Sequence, residues 1–269
     1  MYSPRLIILL ILVGLSAQGF TQTMSDFKDH LEASDRKLYS LYESIRGSDS
    51  LMDVNISLKN YLIASLPKVS ESLTANFLEY NWIDIVSSSD NKFREWSWMT
   101  FMGGTRPVIW RVFQYQTSQG IKVNCPVFFN AEGSPEGEEG FPNYSFDTIF
   151  SIVGKNGVTY YLPVEGWKGD TRNAGRTLRT VIIKDTVLEF GIKLFKTKNG
   201  LVDEIPLSYY SDDGALTWDY VQDRSFKFIN KGQTLLVPLL NGDGSNELPL
   251  KYLQYDFDGE YFVYKGVKK

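Results

Sequence analysis

From about Asn76 onward the apolar residues of this chain recur at every second position, and they do so to the end. FREWSW, VIWRVFQYQ, IKVNCPVFF, FDTIFSIV, VTYYLPV, TLRTVII, VLEFGIKLF, LTWDYV, SFKFI, TLLVPLL, LKYLQYDF and EYFVYK are all rich in β-branched and aromatic residues. Between such runs stand TSQG, GKNG, TKNG, DDG, NKGQ and DFDG. Asn-Gly and Asp-Gly adopt positive φ at little cost, which a tight antiparallel reversal requires. The pattern predicts a mainly β fold of antiparallel strands, arranged as a meander, a sandwich or propeller-like sheets. No strand-helix-strand alternation occurs, so no parallel sheet is expected. About a dozen strands would make only three four-stranded blades, which ranks a meander or two packed sheets above a propeller.

The preceding segment has a different period. Met24, Phe27, Leu31, Leu38, Leu41 and Ile45 recur at helical spacings, with Thr23 and Asp26 as a capping box and Gly47 as the stop. A second helix is expected from Asp49 to Leu66, burying Leu51, Val54, Leu58, Tyr61 and Leu62 and ended by Pro67. Before these, MYSPR is a short basic start and LIILLILVGL an apolar run too short to span a bilayer as a helix. SAQG then offers small residues for cleavage, Ala17 and Gly19 among them, with Gln22 a second position. The expected organisation is therefore a signal peptide over 1–22, a helical segment over 23–75 and an antiparallel β domain over 76–269. Export follows, to the periplasm or beyond, with no transmembrane segment in the mature chain.

The eight residues SDDGALTW resemble the Asp-box, a β-hairpin motif found in sialidases and related propellers. Ser211, Asp213, Gly214, Thr217 and Trp218 match, and Ala215 departs from the usual Gly. The resemblance implies a structural turn, with Ser211 and Asp213 bonding its own amides and Thr217 and Trp218 starting the outgoing strand. It does not imply glycoside cleavage. SSDNKFREW, with Ser88 and Asp90, is a weaker echo. The stretch KFREWSWMTFMGGTRPVIWRVFQYQ, with Ser97, Trp98, Gly103, Gly104 and Thr105, is similar to an uncharacterised group of exported Bacteroidetes-type proteins. Arg106 and Pro107 stand where that group has Met-His, and no activity comes with the likeness.

Several chemistries are disfavoured by composition. His30 is the single histidine, set on the first helix, so Ser-His-Asp and Cys-His triads and two-histidine zinc sites are unavailable. Cys125, the single cysteine, reads as a core residue and forms no internal disulfide. Neither a P-loop nor a dinucleotide fingerprint is present. With 28 Lys and Arg against 32 Asp and Glu, the formal net charge of −4 makes no electrostatic case for nucleic acid. No cofactor or metal is implied; Asn241, Asp243, Ser245 and Glu247 alternate as calcium ligands do, but read better as a hairpin loop.

Two longer loops interrupt the strands, the acidic stretch Asn130 to Ser145 and EGWKGDTRNAGR at Glu165 to Arg176. A loop with no core to fill has less reason to hold an indole, so Trp167, Arg172 and Arg176 are the candidate ligand-binding residues. The expected function is an exported, non-catalytic binding or envelope-associated protein, its partner a carbohydrate or an envelope protein. The alternative is a carboxylate-dependent, glycosidase-like hydrolase of an extracellular polymer, although Asp147, Glu165, Asp170, Asp185, Glu189, Asp213 and Asp219 show no spacing that singles out a pair. A third possibility, an accessory subunit of an envelope complex, predicts an exposed apolar patch.

Overall fold

A computed structural model describes residues 22–44, 49–77, 79–101, 108–125, 128–129, 135–136, 145–168, 172–211, 216–240 and 251–268. Residues 1–21, where a signal peptide is expected, and Ile45, Gly47, Gly103 to Thr105, Asp213, Gly214 and Asn241 to Glu247 lie outside them.

Two helices open the described chain, α1 (Met24–Ser44) and α2 (Asp49–Ser65). The capping box forms as the sequence predicts: Asp26 N donates to Thr23 Oγ1 at 3.1 Å, and Thr23 N donates to Asp26 Oδ2 at 3.2 Å. Phe27, Leu31, Leu38, Leu51, Leu58 and Leu62 are buried along the facing stripes, with Tyr61 stacked on Phe27. Leu66 N still donates to the Leu62 carbonyl, and Pro67 then prevents further turns.

The strands begin with the meander β1 (Ile83–Ser87), β2 (Phe93–Met99), β3 (Ile109–Thr117) and β4 (Gly120–Asn124). The short pair β5 (Phe128–Phe129) and β6 (Pro135–Glu136) follows, β6 falling inside the stretch read as an acidic loop. Next come β7 (Ser145–Val153), β8 (Thr159–Lys168), β9 (Asn173–Leu178), β10 (Val181–Lys184) and β11 (Val187–Phe190). The chain ends with β12 (Phe195–Thr197), β13 (Gly200–Val202), β14 (Ile205–Tyr210), helix α3 (Trp218–Asp223), β15 (Lys227–Ile229), β16 (Thr234–Pro238), β17 (Tyr252–Phe257) and β18 (Phe262–Lys268).

The second sheet has the order β11-β10-β8-β9-β14, with β7 also on β8; the third runs β13-β12-β18-β17-β16-β15. Because these orders differ, no four-stranded unit repeats, and the fold is the packed-sheet form of the mainly β expectation. One pairing departs from it. β12 lies parallel to β18 over Phe195↔Phe262 and Lys196↔Val263, a crossover made with strands and α3 rather than a βα unit.

The first two sheets curl into a half-barrel. A parallel bridge joins Ser88 to Ile149 on one side, and Tyr115 donates its hydroxyl to the Thr186 carbonyl on the other. Alternation then sorts β2 into two buried faces. Trp96 and Trp98 meet the helices, whereas Phe93 joins Phe113, Phe146 and Tyr161 inside the half-barrel. The third sheet and the far face of the second enclose a separate apolar core around Leu162, Phe195, Leu235 and Phe262.

The sequence places Thr217 and Trp218 at the start of a strand, and the structure corrects this. Thr217 is the N-cap of α3, accepting from Tyr220 N at 3.2 Å, so Trp218 opens a helix. The Ser-x-Asp logic operates at the weaker echo. Ser88 Oγ donates to Asp90 Oδ1 at 2.6 Å and accepts from Phe93 N, while Asp90 Oδ1 accepts from Lys92 N. Asn91, at φ +55°, makes the bend.

Candidate functional site

The residues singled out on the Glu165 to Arg176 stretch do not converge. β8 continues through Lys168 and β9 starts at Asn173, so Trp167 and Arg176 belong to strands. Trp167 pairs with Gly175 and Arg176 with Gly166, which assigns positions 167 and 176 to opposite faces of the sheet. Arg176 is 1 % exposed and bound to Asp147 Oδ2 at 2.8 Å. Arg172 is exposed beside the connection, its carbonyl accepting from Ser211 N at 3.1 Å. The Asp147–Arg176 pair passes over Gly166, where a Cβ would lie 2.8 Å from the Asp147 carboxylate. Burial pushes Asp147 up to about 6, with Arg176 opposing the rise and Asp84 adding to it.

Carboxylates do converge elsewhere, inside the half-barrel. Arg111 of β3 donates Nε to Glu95 of β2 and Nη1 to Glu165 Oε1 of β8 at 2.5 Å. Glu165 Oε2 accepts from Arg179 Nε at 2.8 Å, and Arg179 Nη1 reaches Glu204 Oε2 at 2.5 Å. The second Glu95 oxygen accepts from Phe146 N at 2.6 Å, and the Arg111 guanidinium lies 4.3 Å from the Phe146 ring centre. Glu95 and Arg111 are fully buried and Glu165 is 1 % exposed. Burial lifts Glu95 to about 7, although Arg111 and the Phe146 amide favour its ionised form. Ser97 Oγ and Arg111 Nη2 lack hydrogen-bond partners in this interior. Hydrolysis by two carboxylates requires both to flank a bond that can enter between them. Here both are committed to a single guanidinium out of contact with solvent.

An open concavity of about 600 Å³ lies on the other side of β2, at the seam between helices and sheet. Its lining includes Phe77, Glu79 and Tyr80 from the segment before β1, Ile83, Asp84 and Ile85 of β1, and Arg94. Arg94 is nearly buried, and its donors are engaged by the carbonyls of Ser72 and Ala75 (2.9 Å to the latter) and by Ser87 Oγ at 2.6 Å. Its guanidinium is 5.2 Å from the Phe77 ring centre, and burial lowers its pKa to about 10. Glu79 and Asp84 stand exposed at the rim. Asp35 of α1 holds the approach to β1 by accepting from Trp82 N at 2.8 Å and Asn81 N at 3.2 Å.

No protein-family model, curated protein or solved structure matches this chain. Among the described residues, no helix is long and apolar enough to cross a membrane, and no group of three or more His, Cys, Asp or Glu could hold a metal ion.

Glu95, Arg111 and Arg94 do not stand out from the sequence as a site, although a signal for them is present. FREWSWM and IWRVFQYQT are apolar on both faces, so a charge in either strand needs a buried partner. Asn55 is the same case on a helix: buried on α2, it accepts from Trp98 Nε1 at 2.9 Å and donates to the Thr100 carbonyl at 3.1 Å.

Proposed function

We propose that this chain is an exported, non-catalytic binding protein of the cell envelope, and that its ligand occupies the concavity along β1. The observation that carries the reading is the state of Glu95 and Glu165. These carboxylates converge as a hydrolase would need, yet they are sealed and clamped on Arg111. A substrate reaching them would have to break a buried ion pair that ties two sheets together, at a cost of several kcal/mol. Asp147, another carboxyl group raised by burial, is likewise bound to an arginine. The seam concavity has the size of a ligand site, ~300–1,000 Å³, and joins aromatic walls to polar rim groups. Export rests on the basic-apolar-small order of residues 1–22 and on the likeness of the β2–β3 stretch to exported proteins.

The test has two readouts. Cell fractionation with N-terminal sequencing should find the chain outside the cytoplasm, beginning between Gln18 and Thr23. Incubation with envelope polysaccharides and peptidoglycan should release no new reducing ends, with Glu165→Gln indistinguishable from the wild type. Turnover that disappears in Glu165→Gln would move the account to the hydrolase.

A further inference from the structure

We propose that the concavity along β1 binds a small organic monocarboxylate, its carboxylate held by Arg94 and Ser87 and its apolar body by Phe77 and Tyr80. The assignment deepens the binding reading and rests on it. A guanidinium withdrawn from water is ordinarily matched by a carboxylate. Arg111, fully buried, holds Glu95 and Glu165, and Arg176, 1 % exposed, holds Asp147. Arg94 is 4 % exposed, yet among the described residues no carboxylate forms an ion pair with it. Burial is the one influence that lowers Arg94 to about 10, so neither Glu79 nor Asp84 offsets its charge. Strand alternation accounts for Asp84. Ser87 pairs with Arg94 and Ile85 with Trp96, which places Arg94, Ser87, Ile85 and Ile83 on the face toward the helices and Asp84 on the other.

The donors left over suit a carboxylate. Each nitrogen of Arg94 gives one hydrogen bond, to the Ser72 carbonyl, to the Ala75 carbonyl at 2.9 Å and to Ser87 Oγ at 2.6 Å, so two of the five guanidinium N–H groups remain. Ser87 Oγ accepts in the last of these bonds, and its own hydrogen is left to donate. Both residues line the concavity of about 600 Å³. A carboxylate has lone pairs for all three donors, and its bonds to a guanidinium are charge-assisted.

The rest of the lining selects among anions. One unmatched positive charge answers one negative charge, and Glu79, exposed at the rim, disfavours a second. Phosphate esters and polyanions are thereby set aside. Beside the cation stand the half-buried rings of Phe77 and Tyr80 and the side chain of Ile85. The Phe77 ring centre is 5.2 Å from the Arg94 guanidinium, so an apolar group carried next to the carboxylate meets this wall.

The experiment titrates the purified, isotopically labelled chain with phenylacetate and follows its backbone amide and arginine Nε–H signals. The amides of Phe77, Tyr80, Ile85 and Ser87 and the Arg94 Nε–H should shift together and saturate. Phenylacetamide, the neutral counterpart, should bind at least tenfold more weakly, and inorganic phosphate should leave these signals in place. Arg94→Gln should abolish the response. Because that side chain also ties Ser72 and Ala75 to β2, Ser87→Ala serves as a second variant and should weaken binding three- to tenfold. Equal affinity for acid and amide, a matching response to phosphate, or unchanged affinity in Ser87→Ala overturns the monocarboxylate assignment. A neutral oligosaccharide that moves the Tyr80 and Ile85 signals of a chain indifferent to the acid would overturn it too, yet leave the binding reading intact. Signals that respond to no acid, amide or oligosaccharide would remove both.

Discussion

The half-barrel interior and the C-terminal core are both built from strands of alternating pattern, but they are held together differently. Around Leu162, Phe195, Leu235 and Phe262 the contacts are apolar and pairwise replaceable. Inside the half-barrel, aromatic rings flank Arg111, and the chain Glu95–Arg111–Glu165 continues outward through Arg179 to the partly exposed Glu204, each charge depending on its neighbour. An apolar core loses stability in proportion to what is removed; an ion chain fails at whichever link is taken out. The contrast separates strength from register. The apolar core buries more hydrophobic residues than the half-barrel interior does, whereas the charges can pair in only one alignment of β2, β3 and β8.

That comparison breaks most readily at Arg111. Arg111→Met leaves Glu95 and Glu165 buried without their shared cation, and a loss of about 4 kcal/mol is expected in urea denaturation. Leu162→Ala in the apolar core should cost about 3 kcal/mol, without altering how stability depends on pH. If Leu162→Ala proved far more damaging than Arg111→Met, the charge chain would be an ornament on an aromatic interior. Gly166→Ala forces a methyl against the Asp147 carboxylate, and about 2 kcal/mol should be lost as the Arg176 pair is displaced. Thr217→Ala removes the α3 cap at the margin of the apolar core, for about 1 kcal/mol.

Much of the architecture was legible because it is local. The capping box at Thr23 and Asp26, the stop at Pro67 and the hairpin glycines Gly120, Gly200 and Gly259 act within a few residues of themselves. Sites were less legible because they join distant strands. Glu95 and Glu165 are seventy positions apart, and only the curling of two sheets brings both to Arg111. Arg176 misled for a related reason: a Gly-rich polar stretch reads as loop, yet Gly166 leaves room for the Asp147 carboxylate on a paired strand rather than breaking it. Thr217 illustrates a third limit, since one hydroxyl suits a turn, a strand start or a helix cap, and the following residues decide.

The structural role of Glu95 makes a statement about pH. Burial raises its pKa from 4.5 to about 7, so the folded chain holds this proton more tightly than the unfolded chain does. Its contribution to stability is therefore greatest below 4.5, declines as pH rises toward 7 and is constant above. Asp147 acts in the same direction from 3.8 to about 6, so the interval from pH 6 to pH 8 mainly isolates Glu95. Urea denaturation of the wild type and Glu95→Gln at pH 6 and pH 8 is the direct measurement, because other titrating groups are common to both proteins. The wild type should be less stable at pH 8 than at pH 6 by more than the variant is. Equal pH dependence in the two proteins would mean that Glu95 holds its proton no more tightly in the fold than out of it, and burial would not be the dominant influence on this carboxyl group.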